Sequence, residues 1–414
     1  MTYHINLSAI QDDFLKYAKM NTRSDPTQTS VPSTPGQTVF AKHLVKQMEM
    51  LGLTDVHLNM ASGFASGTLV ANINKNVPSI GYIAHLDTAN YEAAGVHPVI
   101  HENYDGTPIH FDNGLELTVD QFPELRRYFG ETLISSDGTT LLGVDDKAGI
   151  AGAIGAVRYL IAHPEVKHGE IKLAFGPDEE IGTGADRFDV ASFATDFAYT
   201  LDNGDLGQIE YETFNAAQAT LEIQGVSVHP GNAKDLLINA LSIARDFDNA
   251  LPKYERPEYT EGHQGYFHLN SVHGNTDHAT VVYTIRDHDK ELFDARKATF
   301  QQIAETLNAQ FDTLRITIAM HDQYYNGASA IQKNPQILAL AEAGIKAVGL
   351  TPSIIPFRGG TDGSKITYLG LPTPNLFNGG INFHGPYEVV STEAIGKLAE
   401  TLVAIASLNV EQSE

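Results

Sequence analysis

The chain has 414 residues, more than one ordinary hydrophobic core organises, so two domains are expected. A formal net charge of -24 argues against nucleic acid and anionic membrane surfaces as partners. Cysteine is absent, which excludes disulfides, thiolate zinc sites and a cysteine nucleophile, so any metal has to be held by His and carboxylate groups.

The opening stretch MTYHINLSAIQDDFLKYAKM has no basic end followed by an apolar core, and no apolar run approaches membrane-spanning length, so a cytoplasmic address is the default expectation. Residues 24–36 form a polar, turn-rich stretch. A helix fits VFAKHLVKQMEMLGL, with Phe40, Leu44, Met48 and Leu51 on one face and Gly52 as its stop. Short apolar runs at Ile80–Ala84, Ile171–Phe175, Phe197–Leu201 and Ser353–Phe357 read as strands. Helical stretches separate several of them: Ala148–Ile161, the segment after Asn334 (a candidate cap with Pro335 in the first turn), and 392–408. Strands alternating with helices predict an α/β domain, a mostly parallel sheet with helices on both faces.

The middle of the chain reads differently. Residues 217–225 alternate as a half-exposed strand, a helix fits AKDLLINALSIARDF, strands fit 266–272 and 279–286, a helix fits KELFDARKATFQQIAETL, and LRITIAM closes the set. That β-α-β-β-α-β order is the split, ferredoxin-like α+β pattern, so a small domain is placed at 213–325, inserted between the parts 1–212 and 326–414 of a larger one.

The reactive residues gather where the strands end. GYIAHLDTA ends its apolar run with His85 and Asp87, LAFGPDEE with Asp178, Glu179 and Glu180, and FAYTLDNGD with Asp202; LLGVDDKAG sets Asp145 and Asp146 ahead of a helix start. Open α/β sheets build their sites outside the carboxyl ends of the strands, so four segments deliver His or carboxylate to one edge. Each has a bland alternative. His85 and Asp87 could be a local hydrogen-bonded pair, Asp145 and Asp146 a favourable charge at a helix N-terminus, and the DEE run a solvated loop. As chemistry, strand alternation puts His85 and Asp87 on one face, where Asp87 can fix the imidazole tautomer. One aspartate has two oxygens and can bridge two cations. Of adjacent glutamates, one can coordinate a metal while the other takes a proton from an activated water. His384, in the Gly-rich stretch NLFNGGINFHGPYE, is one more candidate ligand, although spacing alone does not select it among the 17 histidines.

Taken in order, GYIAHLDTA, LLGVDDKAGIAG, AFGPDEEIGTGA, TLDNGDLG, GVSVHPGNAK, RGGTDGS and NGGINFHGPYE resemble the di-zinc family of aminoacylases, desuccinylases and glutamate-releasing carboxypeptidases. The last segments resemble in particular its tripeptide-aminopeptidase branch. The resemblance implies a zinc-exopeptidase-like fold whose insert serves as lid and dimerisation domain, hence a homodimer, and two zinc ions per subunit, with cobalt or manganese as alternatives. It implies that His85 and Asp202 hold one zinc, Glu180 and His384 the other, and that Asp145 bridges them across a cis bond to Asp146. Glu179 would be the general base, Asp87 the orienter of His85, and His229 an oxyanion stabiliser, its own or the neighbouring subunit's. Small peptides would be the substrates. Arg286 or Arg358 would grip their terminal carboxylate, although Arg286 could instead pair with Asp287 or Asp289. Competing readings are another hydrolase of the same family, such as a deacylase or dipeptidase, and a two-metal phosphoesterase using RGGTDGS as an anion cradle; no P-loop motif supports the latter.

Overall fold

The computed structural model describes residues 3–202 and 204–413, which fall into two compact units. The first comprises Met1–Tyr211, Ser329–Ile355 and Thr361–Glu414, the second Glu212–Ala328 with Pro356–Gly360.

The first unit is built on an eight-stranded sheet in the spatial order Thr54–Leu58, Ala65–Leu69, Ile171–Gly176, Ile80–His85, Phe197–Thr200, Asn375–Leu376, Gln208–Glu210, Ser353–Ile354. Its centre, from Ile171–Gly176 to Asn375–Leu376, is parallel, and antiparallel pairs flank it. Alternation divides the central strands between two layers. Tyr82, Leu173 and Tyr199 face the large core with Phe14, Phe40, Val157, Leu340 and Leu402; Ile83, Ala174 and Ala198 face a smaller one with Phe188, Phe193 and Ile366. The buried Tyr82 and Tyr199 hydroxyls donate to the carbonyls of Leu402 and Ile337, at 2.8 and 2.7 Å, pinning the sheet to two helices.

Helices therefore cover both faces, unequally. Leu7–Ala18, Pro35–Leu51, Val144–Ala162, Pro335–Ala347 and Thr392–Gln412 supply the large layer, while the short helices Gly184–Arg187, Val190–Phe193 and Asp362–Tyr368 contribute to the small one. The helix from Pro35 buries Phe40, Leu44 and Met48 as its period predicts, and Gly52 ends it at φ 86°, the left-handed region that glycine enters freely. Asn334 does not cap its helix: its side chain donates to the Ala330 carbonyl instead. The strand expected over Ser353–Phe357 shrinks to Ser353–Ile354, an exposed edge pair, because the chain from Pro356 joins the second unit.

The second unit carries a four-stranded antiparallel sheet in the order Tyr266–Gly274, His278–Asp287, Asn215–Gln224, Ile316–Tyr324, with helices Ala240–Ala250 and Lys290–Asn308. This is the β-α-β-β-α-β arrangement. Its first helix is shorter than the sequence pattern suggests. Asp235 stands at φ 60° and the Asn239 side chain accepts from the Leu241 amide, so the helix starts only at Ala240. Phe300 fills the core of this unit, edge-on to Phe247 and Tyr283 and stacked on Phe267. Phe300→Ala is expected to destabilise this unit by about 3–5 kcal/mol, measured by urea unfolding followed by tyrosine fluorescence.

Candidate two-metal site

Three neighbouring parallel strands end together. His85 is the last residue of its strand and pairs with Gly176, the last of the next, while Thr200 ends the third. Side chains placed just beyond those ends reach one spot. Asp145 comes to it from the start of Val144–Ala162, where Gly143 (φ 82°) turns the chain and Asp145 and Asp146 keep non-helical backbone angles across a cis peptide bond. His384 comes from a loop in which it and Asn382 both have positive φ.

Asp145 is the centre of the cluster. Its Oδ1 lies 2.8 Å from His85 Nε2 and its Oδ2 3.2 Å from His384 Nε2. His85 Nε2 is also 3.8 Å from Asp202 Oδ1, and His384 Nε2 is 3.1 Å from Glu180 Oε1. The donor atoms of His85, Asp145 and Glu180 lie within 4.8 Å of one another, as do those of His85, Glu179 and Asp202. Glu179 thus stands among the possible ligands.

Asp87 is the hub behind the ligands. His85 Nδ1 is 3.1 Å from the Asp87 carbonyl and 3.4 Å from its carboxylate. The same carboxylate accepts the backbone N–H groups of Glu179 at 3.0 Å and Glu180 at 3.1 Å. One side chain therefore orients the imidazole and aims the glutamate pair. Asp178, the third carboxylate of the run, turns away from the site. It is buried at φ 60°, where it accepts from the Ser33 amide and hydroxyl and from Gln37 Nε2. Its role is to fasten the bend to the segment before Pro35–Leu51.

Burial makes the carboxylates of the cluster and the two imidazoles shift one another. Burial, reinforced by the charge on Asp202, pushes Glu179 well above the carboxylate range. Burial and then Asp145 push Glu180 up to about 7 and Asp202 to about 6. Burial alone would lower His85, but Asp145, Asp202 and Asp87 outweigh it and hold the imidazole well above its ordinary value. The nearby carboxylates, Asp145 first and then Glu180, hold His384 up at about 11. Burial would raise Asp145, yet its contacts with His384 and His85 hold it well below the usual range. Glu180 Oε1 is buried, and although close to His384 it is out of line for a hydrogen bond and has no other partner among the described residues. A lone carboxylate oxygen in such a place is costly unless a cation answers it. Hard oxygen donors with imidazole, and no thiolate, suit divalent zinc, cobalt or manganese, so the residues present fit such ions.

Three further residues accompany the cluster. Asn375 brackets Asp202, accepting its N–H at 3.0 Å and donating to its carbonyl, and donates also to the buried Glu210 at 3.1 Å. Asp362, in RGGTDGS, accepts the Ala185 amide at 2.9 Å, and burial pushes it up to about 7. Lys147 is neither exposed nor paired with the cluster: it is 1% exposed, donates to the Met20 carbonyl at 2.8 Å, and burial pushes it down to about 7. A motif search could have flagged Asp362 and Lys147; only the fold brings up Asn375.

His229, Arg286 and Arg358 belong to the second unit. His229 is exposed, and its Nδ1 accepts the Gly231 amide at 3.1 Å, which leaves the proton of the neutral ring on Nε2. Among the described residues Arg286 pairs with neither Asp287 nor Asp289. It donates to the carbonyls of Ala217 and Ile285 and to Gln323, while Arg296 takes Asp287 and Asp289 caps a helix. Arg358 donates to the carbonyls of Gly262 and Gln264 and to Thr260 Oγ1, with its guanidinium over the rings of Phe214 and Tyr266.

Comparison with known proteins finds relatives in sequence and in fold. Residues 135–408 match Peptidase family M20/M25/M40. A curated relative from Enterococcus faecalis, described as Peptidase T, is 52% identical over 401 residues, 96% of this chain and 98% of the relative. The crystal structure of the aminopeptidase PepT of Bacillus cereus superposes with a TM-score of 0.77 at 23% identity, covering 98% of this chain and 99% of that one. A Bacillus subtilis structure described as a dinuclear metal binding peptidase from the M20 family superposes with a TM-score of 0.67 at 13% identity, covering 98% of both chains.

Proposed function

The chain belongs to peptidase family M20/M25/M40, and from that premise we propose that it is a metal-dependent aminopeptidase that removes the N-terminal residue of tripeptides. The observation that carries the reading is the convergence of His85, Asp145, Glu180, Asp202 and His384 around one spot, with Glu179 beside them. His85 and Asp202 would hold one ion, Glu180 and His384 the other, and Asp145 would bridge them. When bound, the ions supply Lewis acidity, polarising the scissile carbonyl and bringing a water's pKa towards neutrality.

The chain's own groups account for the rest. Glu179, as a carboxylate, would accept the water's proton and return it to the leaving nitrogen. Asp87 keeps His85 in one tautomer and holds the Glu179 backbone in place. His229, with its proton on Nε2, is a donor suited to the tetrahedral oxyanion. Arg286 or Arg358 would exchange its carbonyl partners for the terminal carboxylate of the peptide, a contact that fixes substrate length. Zinc as the native metal, a homodimer assembled through the second unit as lid and dimerisation domain, and a cytoplasmic location extend the same reading. They rest on the sequence resemblance; no described helix is long and apolar enough to cross a membrane.

The test is a substrate panel with purified protein supplied with zinc: free tripeptide, dipeptide, tetrapeptide and N-acetylated tripeptide, each with and without chelator. Release of the N-terminal residue from the tripeptide alone, abolished by chelator, is the expected result. Cleavage of the acetylated compound instead would move the protein to a deacylase of the same family.

A further inference from the structure

Glu388 stands outside the ligand set, yet it is 1% exposed and, among the described residues, its carboxylate makes hydrogen bonds to backbone rather than to a cationic side chain. Its partners are backbone. Oε2 accepts the N–H groups of Leu142 at 2.9 Å and Gly143 at 2.7 Å, and Oε1 accepts that of Asp145 at 3.1 Å. Those amides line the turn that delivers Asp145. The other end of the connection is just as specific. Ile381 and Val389 exchange backbone hydrogen bonds at 3.0 and 3.2 Å, closing a loop with His384 inside it and Glu388 at its base. The Glu388 amide itself donates back to the Gly385 carbonyl at 3.3 Å. Val389–Ser391 is then held in a small sheet against Leu133–Ser135.

From this we propose that Glu388 is a positioning residue that fixes the distance between Asp145 and His384 by fastening the turn that carries one to the loop that carries the other. The inference rests on the two-metal reading. His384 is the most exposed of the ligands and sits on a loop with two residues at positive φ, so its place depends on what anchors that loop. Asp145 has to offer one oxygen to each side of the centre, so a small rotation of its turn would spoil one side before the other. A carboxylate can take the N–H groups on both of its oxygens; an amide cannot. In Glu388→Gln one acceptor becomes an NH₂ group facing a backbone N–H, and a donor is left against a donor.

The experiment is a zinc titration of metal-free protein by calorimetry on wild type, Glu388→Gln, His384→Ala and the double variant, with Val390→Ala as a control that loosens the same strand without touching the turn. Thermal melts of the metal-free forms accompany it. Wild type is expected to bind two ions. Glu388→Gln is expected to lose about 10–100-fold in affinity at one step and to keep the other. In the His384→Ala background, where that step is already gone, Glu388→Gln should add no loss, and Val390→Ala should keep both affinities even if its melting temperature falls as far. If Glu388→Gln binds both ions as wild type does, or loses affinity only as Val390→Ala does, Glu388 is a structural residue and the proposal is wrong. Wild type that takes up fewer than two ions would instead overturn the two-metal reading, and this proposal with it.

Discussion

Glu179→Gln will lower kcat on a tripeptide by about 10²–10⁴-fold, the usual contribution of a positioned general base, and leave bound zinc and KM nearly unchanged. The amide keeps the size of the side chain but cannot take a proton. The bend should survive, because it is held through groups the substitution spares: the Glu179 and Glu180 amides on Asp87, and Asp178 on Ser33 and Gln37. Steady-state kinetics with metal analysis on the same preparation checks it. A fall in kcat that tracks loss of zinc would mean that Glu179 is chiefly a ligand, the alternative its closeness to His85 and Asp202 leaves in play.

Asp145→Ala will release both ions and reduce activity by more than the about 10²–10³-fold that removal of a single electrostatic stabiliser costs. The carboxylate is the only group in contact with both imidazoles among the described residues, at 2.8 and 3.2 Å. Its removal also takes away the strongest influence holding His384 up at about 11 and one of those holding up His85. Both imidazole pKa values should therefore drop towards their ordinary range in the metal-free variant. Titration by histidine NMR reads that sign independently of catalysis, and unchanged values would show that Asp145 does not hold the two rings together.

Much of this site can be read from the chain itself, and the reason is geometric. A strand of alternating side chains that ends in a reactive residue announces where that residue goes, so His85, Glu179, Glu180 and Asp202 could be placed on one sheet edge. The four-stranded unit was legible for the same cause: residues 217–224 and His278–Asp287 alternate buried and less buried positions. What escaped depends on contacts remote in sequence or on competition between local signals. Glu388 finds the 142–145 turn, and Asn375 finds Asp202, across gaps that no periodicity spans. The helical pattern from Ala233 was interrupted because Asn239 is a better cap than an interior residue. At Asn334 the reverse happened, and a side chain suited to capping bonded backwards to Ala330. Short strands such as Val99–His101 and Leu133–Ser135 have no pattern of their own, since pairing defines them: Leu133–Ser135 lies between Val99–His101 and Val389–Ser391.

The central claim is a pair of ions bridged by Asp145. The most direct measurement is anomalous diffraction at the zinc edge from crystals of the zinc-loaded protein. The account predicts two peaks on either side of the Asp145 carboxylate, one against His85 and Asp202 and the other against Glu180 and His384. A single peak, or a pair bridged by some other residue, would contradict it.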